Sequence, residues 1–291
     1  MKIYILPVDE QFRPKKSPFN YPPHTEDYFV EQDFYNYLLK NTEMITQNPA
    51  EADWHFLPIY WTRWHVIHDY AKTGLEELQQ GVDKFILDDS KTFTICQYDD
   101  GPVVNLDKTT VFLSSRKTKE GIDIPLLCSP HKKPFFSFFF KPSKKYFASF
   151  IGRLSTHPIR QEMAEQLKNR DDIYISDGDK GSKFFVKKTL ESYIALCPRG
   201  YGGSSFRFYE AMQLGVIPFL IGDIDTRPFK KFINWDEVSF YSNSASYLNA
   251  LNSLTKSDLL SMGKKAAIIW KEKLTYQKWC QYVIRELNEL K

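Results

Sequence analysis

Long apolar runs are missing from this 291-residue chain. The stretch from Pro134 to Phe140 is apolar but brief and lysine-flanked, so no segment approaches the length of a transmembrane helix. A signal peptide is missing as well, because Pro7 and Asp9 interrupt the opening run Met1 to Leu6. Cysteine is scarce: Cys96, Cys128, Cys197 and Cys280 are scattered, form no paired metal-ligand spacing, and read as buried thiols of a reducing compartment. Net charge is small, since 39 Lys and Arg against 36 Asp and Glu leave +3, too weak and too dispersed for a nucleic-acid partner. These absences lead to the expectation of a soluble, cytoplasmic protein. What is present is a 42% hydrophobic composition, which excludes a disordered chain. Aromatics are in surplus, with 23 Phe, 17 Tyr and 6 Trp, enough for a Phe-rich core and also for a groove that stacks sugars or bases.

Strands and helices alternate along the chain. Residues 2–6 read as a first strand, and a proline-rich loop from Asp9 to Thr25 follows. Tyr28 to Leu39 has helical spacing, and Ala52 to Pro58 reads as a buried strand. A helix over 62–80, a strand over 84–87, and a strand at 92–97 or 111–114 complete a first α/β unit. Prolines at 125, 130, 134 and 142 punctuate a connection, after which the pattern restarts. Strands at 145–151, 173–175, 193–197 and 216–221 then alternate with helices at 158–169 and 204–214, and two helices close the chain. The expectation is an α/β protein of two Rossmann-like domains, 1–140 and 141–291, with the C-terminal helices packing back and ligands bound beyond the carboxyl ends of the strands.

The most informative stretch runs from Ile194 to Gly215. A strand leads into Pro198-Arg199-Gly200-Tyr201-Gly202-Gly203, and a helix starts at Ser204-Ser205. A glycine-rich loop lets backbone approach an anion closely, and a helix N-terminus offers unpaired N–H groups. Arg199 or Arg207 supplies a forked cation for a diphosphate. Glu210, one turn beyond Arg207, has two readings: a partner for that arginine, or an acceptor for a ribose diol. Asp223, just past the next strand, reads either as a neighbour of the donor sugar or as a loop cap.

The run from Leu196 through Asp223, continued by Arg227-Pro228-Phe229 and Phe232-Ile233-Asn234-Trp235, resembles the signature of the exostosin-like glycosyltransferases. Tyr28, Glu31 and Phe34 resemble the family's N-terminal helix motif. Glu51-Ala52-Asp53 with Phe56 to Tyr60 resembles its second-strand motif, and Phe150-Ile151-Gly152-Arg153 the opening of its second domain. The resemblance implies a GT-B fold, a UDP-sugar donor held by the second domain, a glycan acceptor, and inversion without a metal. The adjacent pairs Asp88-Asp89 and Asp99-Asp100 read as readily as solvated loop ends as a cation site, and without a metal the leaving charge falls to Arg153, Arg199, Arg207 and helix N–H groups. Xylose, glucuronic acid, galactose and arabinose remain open as the donor sugar. A non-catalytic glycan- or nucleotide-binding module is the alternative. The family's membrane anchor and the second catalytic domain of animal exostosins find no counterpart, so a small stand-alone enzyme is expected.

Inversion needs a general base for the acceptor hydroxyl. Glu31 is the first candidate because it matches the family's N-terminal glutamate; the alternative is an ordinary first-turn acid stabilising its helix. Asp9 and Asp53 are the other carboxylates considered. His24, His65 and His68 read as structural or exposed. Trp61 and Trp64 are either core or a sugar-stacking platform, and Tyr60 and Tyr201 are expected at strand ends facing the ligand.

Overall fold

A computed structural model describes residues 1–16, 30–128, 131 and 142–291. Tyr28, His24 and the Phe135 to Phe140 run lie outside the described residues. The chain divides into two compact units, Met1–Leu127 with Tyr276–Lys291, and Cys128–Thr275. The boundary falls after Leu127 and not at the expected 140, and the last helix counts with the first unit.

The first unit is built on a five-stranded parallel sheet of β1 (Ile3–Ile5), β2 (Trp54–Phe56), β3 (Thr92–Cys96), β4 (Thr110–Leu113) and β5 (Ile122–Asp123), in that spatial order. Parallel sheets bury both faces, which is why β2 and β3 are buried at every position rather than at alternate ones. Helices α1 (Val30–Lys40), α2 (Trp61–Ile67) and α3 (Leu75–Phe85) connect the strands. Much of the aromatic surplus is spent here: Phe34 meets Phe56 at 5.2 Å and Phe93 at 5.8 Å, and Phe93 meets Phe112 at 6.2 Å. Three of these contacts are edge-to-face, the arrangement that brings a positive ring edge to a negative ring face.

Two expectations in this unit need correction. The single helix over 62–80 is two, because Asp69, Tyr70 and Ala71 all take positive φ and Gly74 takes φ +70° before α3. The strand expected at 84–87 is instead the end of α3 and the loop after it. Both alternatives for the following strand form, as β3 and β4.

The second unit carries β6 (Tyr146–Gly152), α4 (Pro158–Leu167), β7 (Ile173–Asp177), α5 (Ser182–Leu190), β8 (Ser192–Pro198), α6 (Phe206–Leu214), β9 (Ile217–Ile221), β10 (Phe240–Ser242) and α7 (Lys256–Ile269). Its strands are also all parallel, in the order β10-β9-β8-β6-β7. The fold class is therefore the expected α/β, with two Rossmann-like units. Helix α7 lies close against the turn after α6: a Cβ on Gly263 would stand 2.4 Å from the carbonyl oxygen of Gly215. Backbone cannot yield as a side chain does. Gly263→Ala is expected to destabilise the protein by about 1–3 kcal/mol, read by chemical denaturation; an unchanged midpoint would contradict this packing.

The chain's last helix, α8 (Lys278–Glu289), belongs to the first unit. Trp279 is fully buried, its ring 5.9 Å from that of Phe34, and its indole N–H donates to Asp33 at 3.0 Å. The Trp54 indole reciprocates by donating to the Leu287 carbonyl at 3.2 Å. Tyr282 and Ile284 on the same helix are only partly buried.

Candidate functional site

In the second unit the sheet order reverses at β6, which has β7 on one side and β8 on the other. Open parallel sheets bind ligands beyond the carboxyl ends of the strands at such a reversal. The residues there are Gly152 and Arg153 after β6, and Arg199 to Ser205 after β8. The two stretches singled out in the sequence, Gly152-Arg153 and Arg199 to Ser205, thus lie at the ends of neighbouring strands.

What sequence reasoning missed is the side chain that joins them. Arg160 on α4 is buried, and its guanidinium donates to the carbonyls of Arg199 at 3.0 Å, Arg153 at 2.9 Å and Pro198 at 3.4 Å. It uses a permanent cation to tie both loops, with no carboxylate among the described residues to neutralise it. Burial first, then repulsion from Arg207, lowers its pKa to about 10, still far above neutrality. Nothing local in Pro158-Ile159-Arg160-Gln161 separates this arginine from a surface one.

Arg207 lies in the first turn of α6, donates from Nε to the Ile151 carbonyl at 2.5 Å, and stands over the Phe150 ring at 5.4 Å. Arg160 is 5.8 Å from the same ring. Arg153 is exposed and has no hydrogen-bond or ion partner for its side chain among the described residues. Arg199 is buried and ion-paired with Asp223. Burial works to raise the Asp223 pKa, but the hydrogen bond and charge of Arg199 outweigh it and hold the carboxyl below its ordinary value. Three guanidinium groups, Arg153, Arg160 and Arg207, therefore face the crevice region without a carboxylate, a standing field that an anion relieves.

The helix start adds neutral donors. Ser205 occupies the cap position of α6 but makes no capping bond, and its buried hydroxyl has no hydrogen-bond partner among the described residues. A buried hydroxyl without a partner is costly and calls for an absent one. Ser204, Gly202 and Gly203 are buried beside it, and the Gly203 carbonyl accepts from the Thr226 hydroxyl at 3.3 Å. Gly200 approaches Arg160 so closely that a Cβ would stand 3.2 Å from its Nη2. Tyr201, 71% exposed, projects at the tip of the loop.

Glu210 does not pair with Arg207. It is buried, and its Oε1 lies 2.9 Å from Nε2 of His131, whose Nδ1 is 3.2 Å from the Ser182 hydroxyl. Arg227, part of the same signature, is held by Asp225 through two bonds of 2.9 Å and by Ser239, which makes it a loop brace.

In the first unit, the structure brings Glu31 and Asp9 to the carboxyl edge of the sheet, and not Asp53. Glu31 is only 2% exposed. Its Oε1 accepts from the Thr62 amide at 3.1 Å, the Thr62 hydroxyl at 2.6 Å and the Gln97 amide at 3.0 Å, while Oε2 is buried without a partner among the described residues. Burial raises its pKa, and those hydrogen bonds only partly oppose the rise. Asp9 pairs with Lys84 at 3.2 Å on the surface. Asp53 precedes β2, at the opposite edge, where the Lys2 amide at 2.6 Å and Lys291 at 2.5 Å hold it and lower its pKa.

Trp61 and Trp64 are core residues, and His68 stacks on Trp64 at 4.1 Å. His65 is fully buried against the Pro102 carbonyl at 2.9 Å, and burial lowers its pKa to about 4. All four cysteines are buried free thiols. Among the described residues no cluster of three His, Cys, Asp or Glu side chains could hold a metal ion, and no helix is long and apolar enough to cross a membrane.

Residues 1–257 match the family profile of the Exostosin GT47 domain. Exostosin-1 of Drosophila melanogaster is 24% identical over 157 residues, 45% of this chain and 21% of that relative, so the chain spans only about a fifth of its length. The probable beta-1,4-xylosyltransferase IRX10 of Arabidopsis thaliana is 22% identical over 295 residues, 83% of this chain and 68% of that protein. Among solved structures, AviGT4, a glycosyltransferase involved in avilamycin A biosynthesis, aligns over 100% of this chain and 98% of its own at 12% identity, with a TM-score of 0.43.

Proposed function

The chain belongs to the Exostosin GT47 family, and on that premise we propose that it is an inverting glycosyltransferase moving a sugar from a UDP-sugar to a glycan hydroxyl without a metal. The observation that carries the donor side is the group of arginines at the β6–β8 reversal, uncompensated by carboxylates and set beside an unpartnered Ser205 hydroxyl. A diphosphate supplies the missing anion and the missing acceptor oxygens. As the bond between the sugar C1 and the diphosphate oxygen breaks, its electron pair leaves with UDP. Cationic groups already fixed in place stabilise that charge without reorganising. Glu210, on the same helix one turn further in, is assigned to the ribose hydroxyls.

On the acceptor side, the hydroxyl oxygen bonds to C1 and its proton passes to a base. Glu31 is assigned that role. Its buried, hydrogen-bonded oxygen fixes the side chain, its second oxygen is unoccupied by any donor, and its raised pKa makes it a stronger base than an ordinary carboxylate. Xylose, glucuronic acid, galactose and arabinose are the donor sugars to test, and the buried thiols fit a reducing, cytoplasmic setting.

Titration calorimetry in EDTA is expected to show UDP binding, and a panel of the four UDP-sugars with glycan acceptors is expected to give a product of inverted anomeric configuration by NMR. Failure to bind UDP would overturn the donor site. Transfer lost in EDTA and restored by a divalent ion would overturn the metal-free reaction. UDP binding without transfer or donor hydrolysis would instead mark a non-catalytic binding module.

A further inference from the structure

We propose that the first unit carries a binding site for an anionic sugar, one bearing a carboxylate or phosphate, in a cavity beside Glu31. The cavity, about 360 Å³, is lined by Glu10, Arg13, Lys15, Tyr35, Tyr60 and Arg63, and by Gln32, which accepts from Arg63. Its volume falls in the roughly 300–1,000 Å³ range of small-molecule sites. Three cations face one carboxylate, so the wall carries a net positive charge.

The chain delivers these groups from three places at the carboxyl edge of the sheet. Arg13 and Lys15 follow β1, Tyr60 and Arg63 stand at the start of α2 after β2, and Gln32 and Tyr35 lie on α1. Glu31 does not line the cavity itself, but it lies close enough to the lining residue Tyr60 for its charge to act on that phenol, and Thr62, which holds Glu31, precedes the lining residue Arg63.

The arginines are oriented in advance. The Arg13 guanidinium stands 5.2 Å from the Tyr35 ring centre, and Arg63 stands 5.4 Å from that of Tyr60. Arg13 donates to the Tyr35 hydroxyl at 2.8 Å and the Val8 carbonyl at 3.0 Å, both neutral acceptors that leave its charge uncompensated. Lys15 is exposed and has no hydrogen-bond or ion partner among the described residues. Arg63, almost wholly buried, donates to the Pro14 carbonyl at 2.8 Å and to Gln32. Burial pushes the Tyr60 phenol up to about 12, so it remains a neutral donor at working pH. Fixed guanidiniums, a lysine and a phenol recognise an acidic oxyanion, and the two aromatic rings take the apolar face of a pyranose.

As the acceptor subsite of the reaction this rests on the transferase reading, whereas the cavity's preference for an acidic sugar does not. Calorimetry with the full-length chain tests it using three probes: methyl β-D-glucuronide, methyl β-D-glucoside and glucose 6-phosphate. The glucuronide, the phosphate or both are expected to bind about tenfold tighter than the neutral glucoside, and the two acidic arms tell which anion is preferred. Lys15→Ala, at an exposed side chain that holds nothing else, should shrink the difference several-fold, Arg13→Gln should remove it, and Glu10→Gln should enlarge it. Equal affinity for all three probes, or a preference unaltered in both Lys15→Ala and Arg13→Gln, would overturn the site. Circular dichroism and thermal melts of the same samples report folding of the variants, and UDP affinity is measured alongside. Preference for the acidic sugars without UDP binding would leave the site standing and remove the transferase reading.

Discussion

Glu31→Gln is expected to lower turnover on the order of 10²–10⁴-fold, the usual range for loss of a general base, while leaving UDP affinity unchanged. The amide oxygen of glutamine can accept the same three hydrogen bonds from Thr62 and Gln97, so the side chain stays where it is. Only the proton acceptor is lost. The pH profile separates this from a structural role. Because burial raises the Glu31 pKa, the acid limb of kcat/KM should stand above the ordinary carboxylate range, and Glu31→Gln should remove it from the residual activity. The same shift sets a stability signature. A carboxyl whose folded pKa lies above its unfolded value adds stability at pH below the unfolded value. That stability is lost as pH rises through the folded one. The melting temperature of the wild type should therefore fall across that window, and that of Glu31→Gln should not. Turnover within a few-fold of wild type would overturn the assignment and leave Asp9 as the other candidate carboxylate at that edge of the sheet.

The glycine-rich loop and the helix start after β8 were legible in the sequence because their parts are local. Gly200, Gly202, Gly203, Ser205 and Arg207 lie within one loop and the first turn of one helix, and residue type alone carries their meaning. Partnerships at long range were not legible. Arg160 acts on carbonyls 38 and 39 positions away, and Glu210 meets His131 across 79. Neither spacing leaves a local pattern. The break between α2 and α3 was hidden because apolar residues keep helical spacing through it, although Gly74 marked a place where the chain could take positive φ. The packing back of the C-terminal helices was expected, but not its anchor: the pairing of Trp279 with Asp33 and Phe34 spans some 245 positions and leaves no pattern along one helix. Glu31 was legible as a residue of interest, but only the fold shows one oxygen locked by three donors and the other left bare.

Gly152→Ala is expected to weaken UDP binding by about 10- to 100-fold, as much as Arg207→Ala does, equivalent to about 1.5–3 kcal/mol for hydrogen bonds to a charged group. A Cβ at this position would stand 2.1 Å from Nη2 of Arg207, 2.5 Å from its Cζ and 2.8 Å from its Nε. The guanidinium cannot swing aside without cost. Its Nε bond to the Ile151 carbonyl holds one edge and the Phe150 ring backs its face. A methyl group therefore evicts Arg207 from the end of β6, and the glycine's function is to leave room for that cation. Because both substitutions remove one group, they should not add: the double variant Gly152→Ala/Arg207→Ala should bind UDP about as weakly as either single one. Additive losses would mean that Gly152 serves the ligand by a separate route, such as direct backbone approach to the phosphate. Unchanged affinity in Gly152→Ala would mean that Arg207 has another productive position, and the anion site would then rest on Arg153, Arg160 and the Ser205 cap.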